Sequence, residues 1–292
     1  MDLLRALRPK QWTKNLFVFA ALLLTLSFQD AGRNAAALTA FVAMCLLSSA
    51  TYLANDLMDR ERDRNHPRKR NRPIASGRVS PETATAAAVV CLAVGIGLLY
   101  ALNQASLLVG FGYLGLQVLY NFGLKHIAVA DVFTLSGGFV LRAVLGATAI
   151  GVAVSVWLFL CTGAIALLLG FGKRRNEFHQ EGIDPALTRE ALSGYTSESL
   201  NALLLLAAAA TVASYGLYSI ESETARAHPL LALSTPFVFY GVCRYLVLVF
   251  GKNEGGEPEN LVFGDPHLIL TLLLFVATIL VALLVDAPGF FA

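Results

Sequence analysis

The stretch NDLMDRERDRNHPRKRNRP, residues 55–73, is the strongest indication of the fold, because it places many charged side chains directly at the end of an apolar run. The run before it, Asn34 to Leu57, is long enough to cross a bilayer as a helix. If that helix continues, Asn55, Asp59 and Asp63 lie at positions i, i+4 and i+8 on one face about 12 Å long. Carboxylates stacked in this way repel each other, and a divalent cation relieves that repulsion.

Oxygen ligands of this kind suit Mg²⁺, which is typically held by one or two carboxylates and by phosphate oxygens of a substrate. Asn55, Asp59 and Asp63 are therefore predicted metal ligands. Asp56 lies about 100° around the helix from Asn55, so it faces away from the other ligands. It is predicted to assist at the metal site, with direct ligation less favoured. The basic side chains that follow are predicted to hold the same phosphates, with arginine favoured for its bidentate geometry. These predicted phosphate contacts are Arg68, Lys69, Arg70 and Arg72. A positive-inside topology signal is the alternative interpretation of any single one of them.

The composition is that of a membrane protein. The chain has 292 residues, 56% hydrophobic and 14% charged, with a net charge of +2 and a mean hydropathy of +0.63. These values predict an all-α, polytopic membrane protein that forms one integral domain over residues 1–292. The four cysteines stand singly in apolar stretches, which is typical of core residues and not of a disulfide framework or a zinc site. We expect no nucleic-acid partner, and a homo-oligomer is left open.

Nine apolar runs are candidate membrane spans. They are Lys14–Phe28, Asn34–Leu57, Pro81–Leu102, Ser106–Gly123, Ala128–Ile150, Val154–Gly172, Glu198–Ile220, Pro229–Phe250 and Pro266–Val285. The loops between them alternate between basic and weakly charged, so the positive-inside rule places the N-terminus in the cytoplasm and the C-terminus outside. The charged segments, and with them the active site, are expected on the cytoplasmic side.

Two arginines, Arg142 and Arg244, lie inside apolar spans. A charge at that depth is costly and often marks a partner or a substrate pathway. Snorkelling of the long side chain towards the membrane surface is the favoured interpretation of both residues.

The Asn55-x3-Asp59-x3-Asp63 pattern at the inner end of the second span resembles the first aspartate-rich motif of the UbiA superfamily of intramembrane prenyltransferases. The resemblance implies a bundle of nine transmembrane helices whose cavity opens to the cytoplasm and binds a diphosphate through Mg²⁺. Further segments resemble the decaprenyl-phosphate phosphoribosyltransferase branch of that superfamily. These segments are Arg8–Asn15, Asn55–Gly77, Phe122–His126, Gly172–Arg174 and Gly256–Glu259.

One departure from the wider superfamily favours that branch. Ordinary members carry a second aspartate-rich motif after the sixth span, whereas this chain has Lys173-Arg174-Arg175-Asn176-Glu177 there. Cations in place of paired carboxylates imply fewer metal ions and more direct contacts to phosphate oxygens. Phosphoribosyl diphosphate (PRPP), which carries a 5-phosphate as well as a diphosphate, fits such a pocket better than a prenyl diphosphate does.

The resemblance implies transfer of the 5-phosphoribosyl group of PRPP to a polyprenyl (decaprenyl) phosphate, with release of diphosphate. The product would supply a lipid-linked pentose for cell-envelope glycans at the bacterial plasma membrane. Asp59 and Asp63 would act catalytically through the metal, and Asp131 is a candidate to stabilise positive charge on the ribose. Lys173 and Arg174 are assigned to the 5-phosphate. The lipid phosphate is assigned to Lys14, Asn15 and Lys125.

Two other classes of protein stay open at this point. The first is a UbiA-type prenyltransferase that moves a prenyl group from a prenyl diphosphate to an aromatic acceptor, against which the missing second aspartate motif argues. The second is a transporter or lipid-binding protein whose basic face holds anionic headgroups. Such a protein would move lipid without releasing diphosphate, and the chain lacks the inverted repeat and paired broken helices that many secondary transporters show.

Overall fold

The computed structural model describes residues 2–25, 27–65, 69–179, 190–252, 261 and 264–285. Regular structure in these residues is entirely helical. Two predicted features, Arg68 and the segment Gly256–Glu259, lie outside the described residues.

Eight helices in the described part of the chain are long and apolar enough to cross a membrane, the seventh together with the short 3₁₀ turn before it. They are α1 (Ala31–Met58), α2 (Pro81–Leu102), α3 (Gln104–Phe122), α4 (Ala130–Ala149), α5 (Val156–Phe178), α6 (Ser197–Glu221), α7 (Thr235–Lys252) and α8 (Pro266–Leu284). The prediction of an all-α, multi-pass membrane protein is confirmed.

Short polar side chains start several of these helices by accepting hydrogen bonds from the first free backbone N–H groups. The Asp30 carboxylate caps α1 by accepting from the N–H groups of Gly32 (2.7 Å) and Arg33 (3.1 Å). Ser80 caps α2, where proline occupies the first turn, and Thr196 forms a capping box at the start of α6. Such caps typically stabilise a helix by about 1 kcal/mol each.

The first predicted span, Lys14–Phe28, is not one long α-helix. Pro9–Phe19 forms a 3₁₀ helix, and only Ala20–Leu24 after it is α-helical. This segment packs so closely against α4 that a Cβ at Gly146 would come within 1.8 Å of the Val18 carbonyl oxygen. The predicted count of nine spans is therefore not confirmed, since the described residues contain eight candidate α-helices.

The chain divides into two compact units. The first comprises Met1–Phe122 and Gly138–Val154, and the second comprises Gly123–Gly137 and Ser155–Ala292. Each has its own apolar core. The core of the first unit contains the buried residues Val18, Met44, Leu47, Leu99 and Leu145. The core of the second contains Leu168, Phe171, Leu200, Leu204 and Val249. The single integral domain over residues 1–292 stays a prediction.

Candidate functional site

The aspartate-rich motif lies where α1 ends. The regular helix stops at Met58, and Asp59 adopts φ −88° and ψ 5° before a second short helix, Arg60–Arg64, begins. Helical hydrogen bonding continues across this break, because Asp59 N–H donates to the Asn55 carbonyl (2.9 Å) and Asp63 N–H to the Asp59 carbonyl (2.8 Å). The predicted i, i+4, i+8 relationship is thus kept in the backbone.

Two carboxylates of the motif share two arginines. Arg72 Nη1 donates to Asp56 Oδ1 (3.0 Å) and to Asp63 Oδ2 (2.6 Å), so that one guanidinium joins both carboxylates. Arg8 Nη2 donates to the same Asp56 Oδ1 at 2.6 Å. The two aspartate side chains are only 2–3% exposed, whereas those of Arg8 and Arg72 are 26% and 28% exposed. We call these four residues the aspartate–arginine network.

Sequence reasoning did not single out Arg8 as a partner of the motif. Its guanidinium lies 4.9 Å from the centre of the Tyr52 ring, and its backbone is left-handed with φ 55° and ψ 58°. A residue other than glycine rarely adopts this conformation. Arg8 lies 48 positions before Asp56, and helical spacing links only residues three or four apart. The sequence therefore contains no local signal for this pairing.

The predicted metal ligands differ in how many hydrogen bonds and ion pairs their side chains form with other residues. Asn55 and Asp59 are half-buried, and neither side chain makes a hydrogen bond to any described residue. Within the described part of the chain, Asp63 accepts a hydrogen bond at one of its carboxylate oxygens, and Asp56 accepts from two guanidinium groups. Across the described chain, no three acidic, histidine or cysteine side chains cluster as a metal site. Because Mg²⁺ needs only one or two carboxylates besides a substrate, the donor set of Asn55, Asp59 and Asp63 fits it.

The predicted phosphate contacts near the motif differ in their exposure and in their contacts with the aspartates. Arg72 belongs to the network, whereas Lys69 and Arg70 begin a short 3₁₀ helix, Lys69–Asn71, just before it. Lys69 is half-buried and Arg70 is exposed. Their contact with PRPP stays a prediction.

Two predicted lipid-phosphate residues of the first unit have different environments. Lys14 is half-buried, but Asn15 is fully buried and its amide is engaged. Asn15 Nδ2 donates to Cys45 Sγ (3.3 Å) and Ser48 Oγ (3.4 Å), and Asn15 Oδ1 accepts from Arg142 Nε (2.7 Å). The expectation that Arg142 snorkels was wrong, since its side chain is 5% exposed and held in the interior of its unit.

In the second unit, the predicted residues Asp131 and Arg174 bind each other. Arg174 Nε donates to Asp131 Oδ2 at 2.5 Å, with both side chains at most 1% exposed. Arg174 Nη1 also donates to Glu177 Oε2 at 2.7 Å. Lys173 and Lys125 are half-buried in the same unit. The structure thus gives Asp131 and Arg174 a shared structural contact, and their roles towards substrate stay predictions.

Tyr195 extends this second cluster. Its hydroxyl accepts from the Val129 N–H (2.5 Å) and donates to Asp131 Oδ1 (3.2 Å). Burial, and to a lesser degree the charge of Asp131, raises the pKa of Tyr195 to about 12, so the hydroxyl keeps its proton at neutral pH. Val129 is held at φ 68°, a costly conformation for a β-branched residue.

Arg244 has an acidic partner and a side chain that is 28% exposed, so snorkelling of this residue stays a prediction. It forms a two-pronged ion pair with Asp265, Nε to Oδ1 at 3.2 Å and Nη2 to Oδ2 at 2.6 Å. Asp265 also caps α8 by accepting from the Leu268 N–H. The pair therefore links the start of α8 to Arg244 in α7, which lies 21 positions earlier in the sequence.

These features define a multi-pass, all-helical membrane protein with a partly open cluster of acidic and basic side chains at one helix end. The chain belongs to the UbiA prenyltransferase family, whose profile matches residues 15–177.

Similar proteins match almost the whole chain. It is 36% identical over 279 residues to decaprenyl-phosphate phosphoribosyltransferase of Mycobacterium tuberculosis, covering 94% of this chain and 92% of that protein. It is 37% identical over 289 residues to the protein of the same name in Corynebacterium glutamicum, covering 96% and 86%. A UbiA homologue from Archaeoglobus fulgidus, solved with GPP and Mg²⁺ bound, has the same fold, with a TM-score of 0.73 and 19% identity over 98% of this chain and all of that one.

Proposed function

We propose that this protein transfers the 5-phosphoribosyl group of PRPP to a polyprenyl phosphate of the decaprenyl type and releases diphosphate. The observation that carries the proposal is the aspartate–arginine network, in which guanidinium groups and carboxylates meet at the end of a membrane helix. Relatives named decaprenyl-phosphate phosphoribosyltransferase support the choice of substrates, because the match extends over more than nine tenths of the chain.

The reaction exchanges one bond at the anomeric carbon of the ribose. The bond to the diphosphate oxygen breaks and its electron pair leaves with the diphosphate, while an oxygen of the lipid phosphate forms the new bond. Because that oxygen is already anionic, no strong general base is required. Catalysis then depends on holding the two reactants in line and on stabilising the charge of the departing diphosphate.

The residues of the first unit meet these two needs. Arg8 and Arg72 keep more than a quarter of their side chains exposed, so their remaining N–H groups can bind a diphosphate. Mg²⁺ held by Asn55, Asp59 and Asp63 would neutralise charge on the same diphosphate. Stabilisation of the ribose by Asp131 and binding of phosphates by Lys125 and Lys173 are proposals that belong to the second unit.

The cellular setting is also proposed. Basic loops favour an orientation with the N-terminus and the active site in the cytoplasm and the C-terminus outside. This orientation suits PRPP, which is a highly charged and water-soluble donor. A lipid-linked pentose made at the bacterial plasma membrane would serve cell-envelope glycan synthesis.

The test is acceptor-dependent diphosphate release by the purified protein with PRPP, Mg²⁺ and a polyprenyl phosphate. The isosteric variants Asp59→Asn and Asp63→Asn should each lower the rate by about 100-fold or more, because each removes charge that holds the diphosphate side of the site. Glu61→Gln is the matched control. Glu61 lies on the same short helix, is exposed, and among the described residues its carboxylate pairs with Arg64 alone, so its loss should leave the rate unchanged.

Equal loss in Glu61→Gln would show that the assay reports general charge and not the site. Turnover of a prenyl diphosphate with an aromatic acceptor, without turnover of PRPP, would replace the proposal with prenyl transfer. Movement of lipid with no diphosphate release from either donor would favour a transporter.

A further inference from the structure

Arg142 is a buried cation whose direct partners among the described residues are all neutral. Its Nε donates to Asn15 Oδ1 (2.7 Å) and its Nη2 to the Tyr113 hydroxyl (3.2 Å). The guanidinium carbon lies 5.0 Å from the centre of the Tyr113 ring and 5.4 Å from that of Phe139. With 5% of its surface exposed, the residue holds a full positive charge within an apolar span.

A more deeply buried arginine, Arg174, shows what is missing. Arg174 is neutralised by Asp131 and Glu177, whereas no carboxylate of the described residues lies within 4.0 Å of the Arg142 guanidinium. Neutral hydrogen bonds and aromatic rings compensate only part of the cost of such a charge. An intramembrane cation without an internal counter-ion commonly marks the site of an anionic ligand.

One edge of the guanidinium remains able to bind such a ligand. Arg142 Nη1 donates no hydrogen bond to the described residues. In the part of the chain that the structure describes, the fully buried side-chain atoms without a partner are Arg60 Nε, His228 Nδ1 and the Tyr245 hydroxyl, so Nη1 is not fully buried. It therefore keeps some accessible surface. Gly138 leaves room beside it, because a Cβ there would lie 3.2 Å from Nη1.

The position of Arg142 within its unit suits the acceptor rather than the donor. Asn15 binds both Arg142 and Ser48, and Ser48 precedes Asp56 by eight positions on α1, which corresponds to about 12 Å along the helix axis. In an in-line displacement, the attacking oxygen lies on the opposite side of the anomeric carbon from the leaving diphosphate. With the diphosphate at the aspartate–arginine network, the incoming phosphate belongs deeper in the membrane, where a lipid tail is also accommodated.

We propose that Arg142 binds the phosphate group of the polyprenyl phosphate acceptor and that Asn15 positions Arg142 for this task. The assignment to the acceptor rests on the proposed phosphoribosyl transfer, whereas the anion site itself rests on the uncompensated charge. Asn15 is then a positioning residue, because it holds the arginine and does not itself contact the phosphate.

Asn15→Asp tests this by giving Arg142 an internal counter-ion of nearly unchanged shape. If Arg142 serves only to hold helices together, the new ion pair leaves the protein equally or more stable and binding unchanged. If Arg142 binds a phosphate, the protein stays folded but the Kd for polyprenyl phosphate, measured in detergent without PRPP, rises by about tenfold or more. The KM for polyprenyl phosphate should rise in parallel, with the KM for PRPP unchanged.

Two further variants keep the test decisive. Gly138→Ala places a Cβ 3.2 Å from Nη1 while favouring the helix, so it should weaken polyprenyl phosphate binding in a folded protein, even if Asn15→Asp does not fold. Asn103→Asp is the matched control, because it adds the same charge to the same unit at a side chain that binds the Thr148 carbonyl and the Ser106 N–H instead of an arginine. It should bind polyprenyl phosphate as the wild type does.

Binding measurements with polyprenyl phosphate, PRPP and inorganic phosphate distinguish which phosphate group occupies the site. Weaker binding of PRPP or inorganic phosphate with unchanged binding of polyprenyl phosphate would overturn the assignment to the acceptor. Unchanged binding of all three by folded Asn15→Asp or Gly138→Ala would overturn the anion site. A wild-type protein that binds polyprenyl phosphate through Arg142 but releases no diphosphate from PRPP would sink the proposed function and leave the anion site standing.

Discussion

The two units each contain a cluster in which arginine meets aspartate, and the clusters differ in how far they are closed. In the second unit, Arg174 and Asp131 are at most 1% exposed and bind each other, with Glu177 and Tyr195 as further partners. In the first unit, Asp56 and Asp63 are equally buried, but the arginine that joins them, Arg72, is 28% exposed. The same chemistry therefore yields a fixed internal contact in one unit and an exchangeable one in the other.

This difference identifies the more suitable ligand site. A buried ion pair is costly to break, because either partner left alone is an uncompensated charge. The guanidinium of Arg72 is 28% exposed, so water or a phosphate can approach it while it still holds the two carboxylates. The aspartate–arginine network can thus bind and release a polyanion, whereas the Asp131–Arg174 pair mainly holds its unit together.

Arg174→Met should have the largest effect on stability. It leaves Asp131 buried without its cation, which typically costs about 3–5 kcal/mol, and we expect a correspondingly large fall in the free energy of unfolding in detergent. The double variant Asp131→Leu/Arg174→Met should recover most of that loss, because paired apolar side chains need no counter-ion. If the double variant were as unstable as the single one, the cluster would not be the closed ion pair described above.

Arg72→Gln should have a smaller effect on stability and a large effect on turnover. Loss of a partly exposed charged hydrogen-bond donor typically costs about 1–3 kcal/mol, and the exposed fraction of Arg72 favours the lower end of that range. Diphosphate release should fall by about 100-fold if this arginine also stabilises the leaving group. A stability loss equal to that of Arg174→Met would remove the distinction between the two clusters.

Tyr195→Phe removes one hydroxyl from the closed cluster and should cost about 1 kcal/mol. Because the pKa of Tyr195 is raised from 10.0 to about 12, the stability that it contributes is fully present below pH 10 and is lost only as the pH rises through about 12. The difference in stability between wild type and variant should therefore stay constant from neutral pH to about pH 10. A difference that fades within that range would show that the hydroxyl already ionises there.

Much of the helical layout is predictable because hydropathy and capping report the same boundaries. Pro81–Leu102 was predicted at both ends, since Ser80 and Pro81 begin the helix where the apolar run begins. The end of α5 was less accurate. The apolar run stops at Gly172, but the helix continues to Phe178, because lysine and arginine have high helix propensity and Arg174 is neutralised by Asp131 and Glu177. Hydropathy also cannot distinguish the 3₁₀ helix Pro9–Phe19 from an α-helix.

The site was predictable only where its residues are neighbours in sequence. The spacing of Asn55, Asp59 and Asp63 indicated the acidic end of α1. The partners that determine its chemistry come from afar, as Arg8 is 48 positions from Asp56 and Arg142 is 127 positions from Asn15. Such pairings depend on helix packing, which a single sequence does not reveal, and so Arg142, which was expected to snorkel, is instead bound inside its unit.

Asp265→Asn should have the smallest effect and extends the comparison to an ion pair outside both clusters. The hydrogen bond from Arg244 is the main reason that the pKa of Asp265 is lowered from 3.8 to about 2. A lowered pKa means that the carboxylate stabilises the fold above about pH 4 and loses that contribution as the pH falls towards 2. The difference in melting temperature between wild type and variant should therefore be constant at mildly acidic and neutral pH and should close between about pH 4 and pH 2. Arg244→Gln should move the closing of that difference to higher pH, because it removes the main cause of the shift. A difference that persists undiminished at pH 2 would mean that Asp265 acts through the shape of its helix cap and not through its charge.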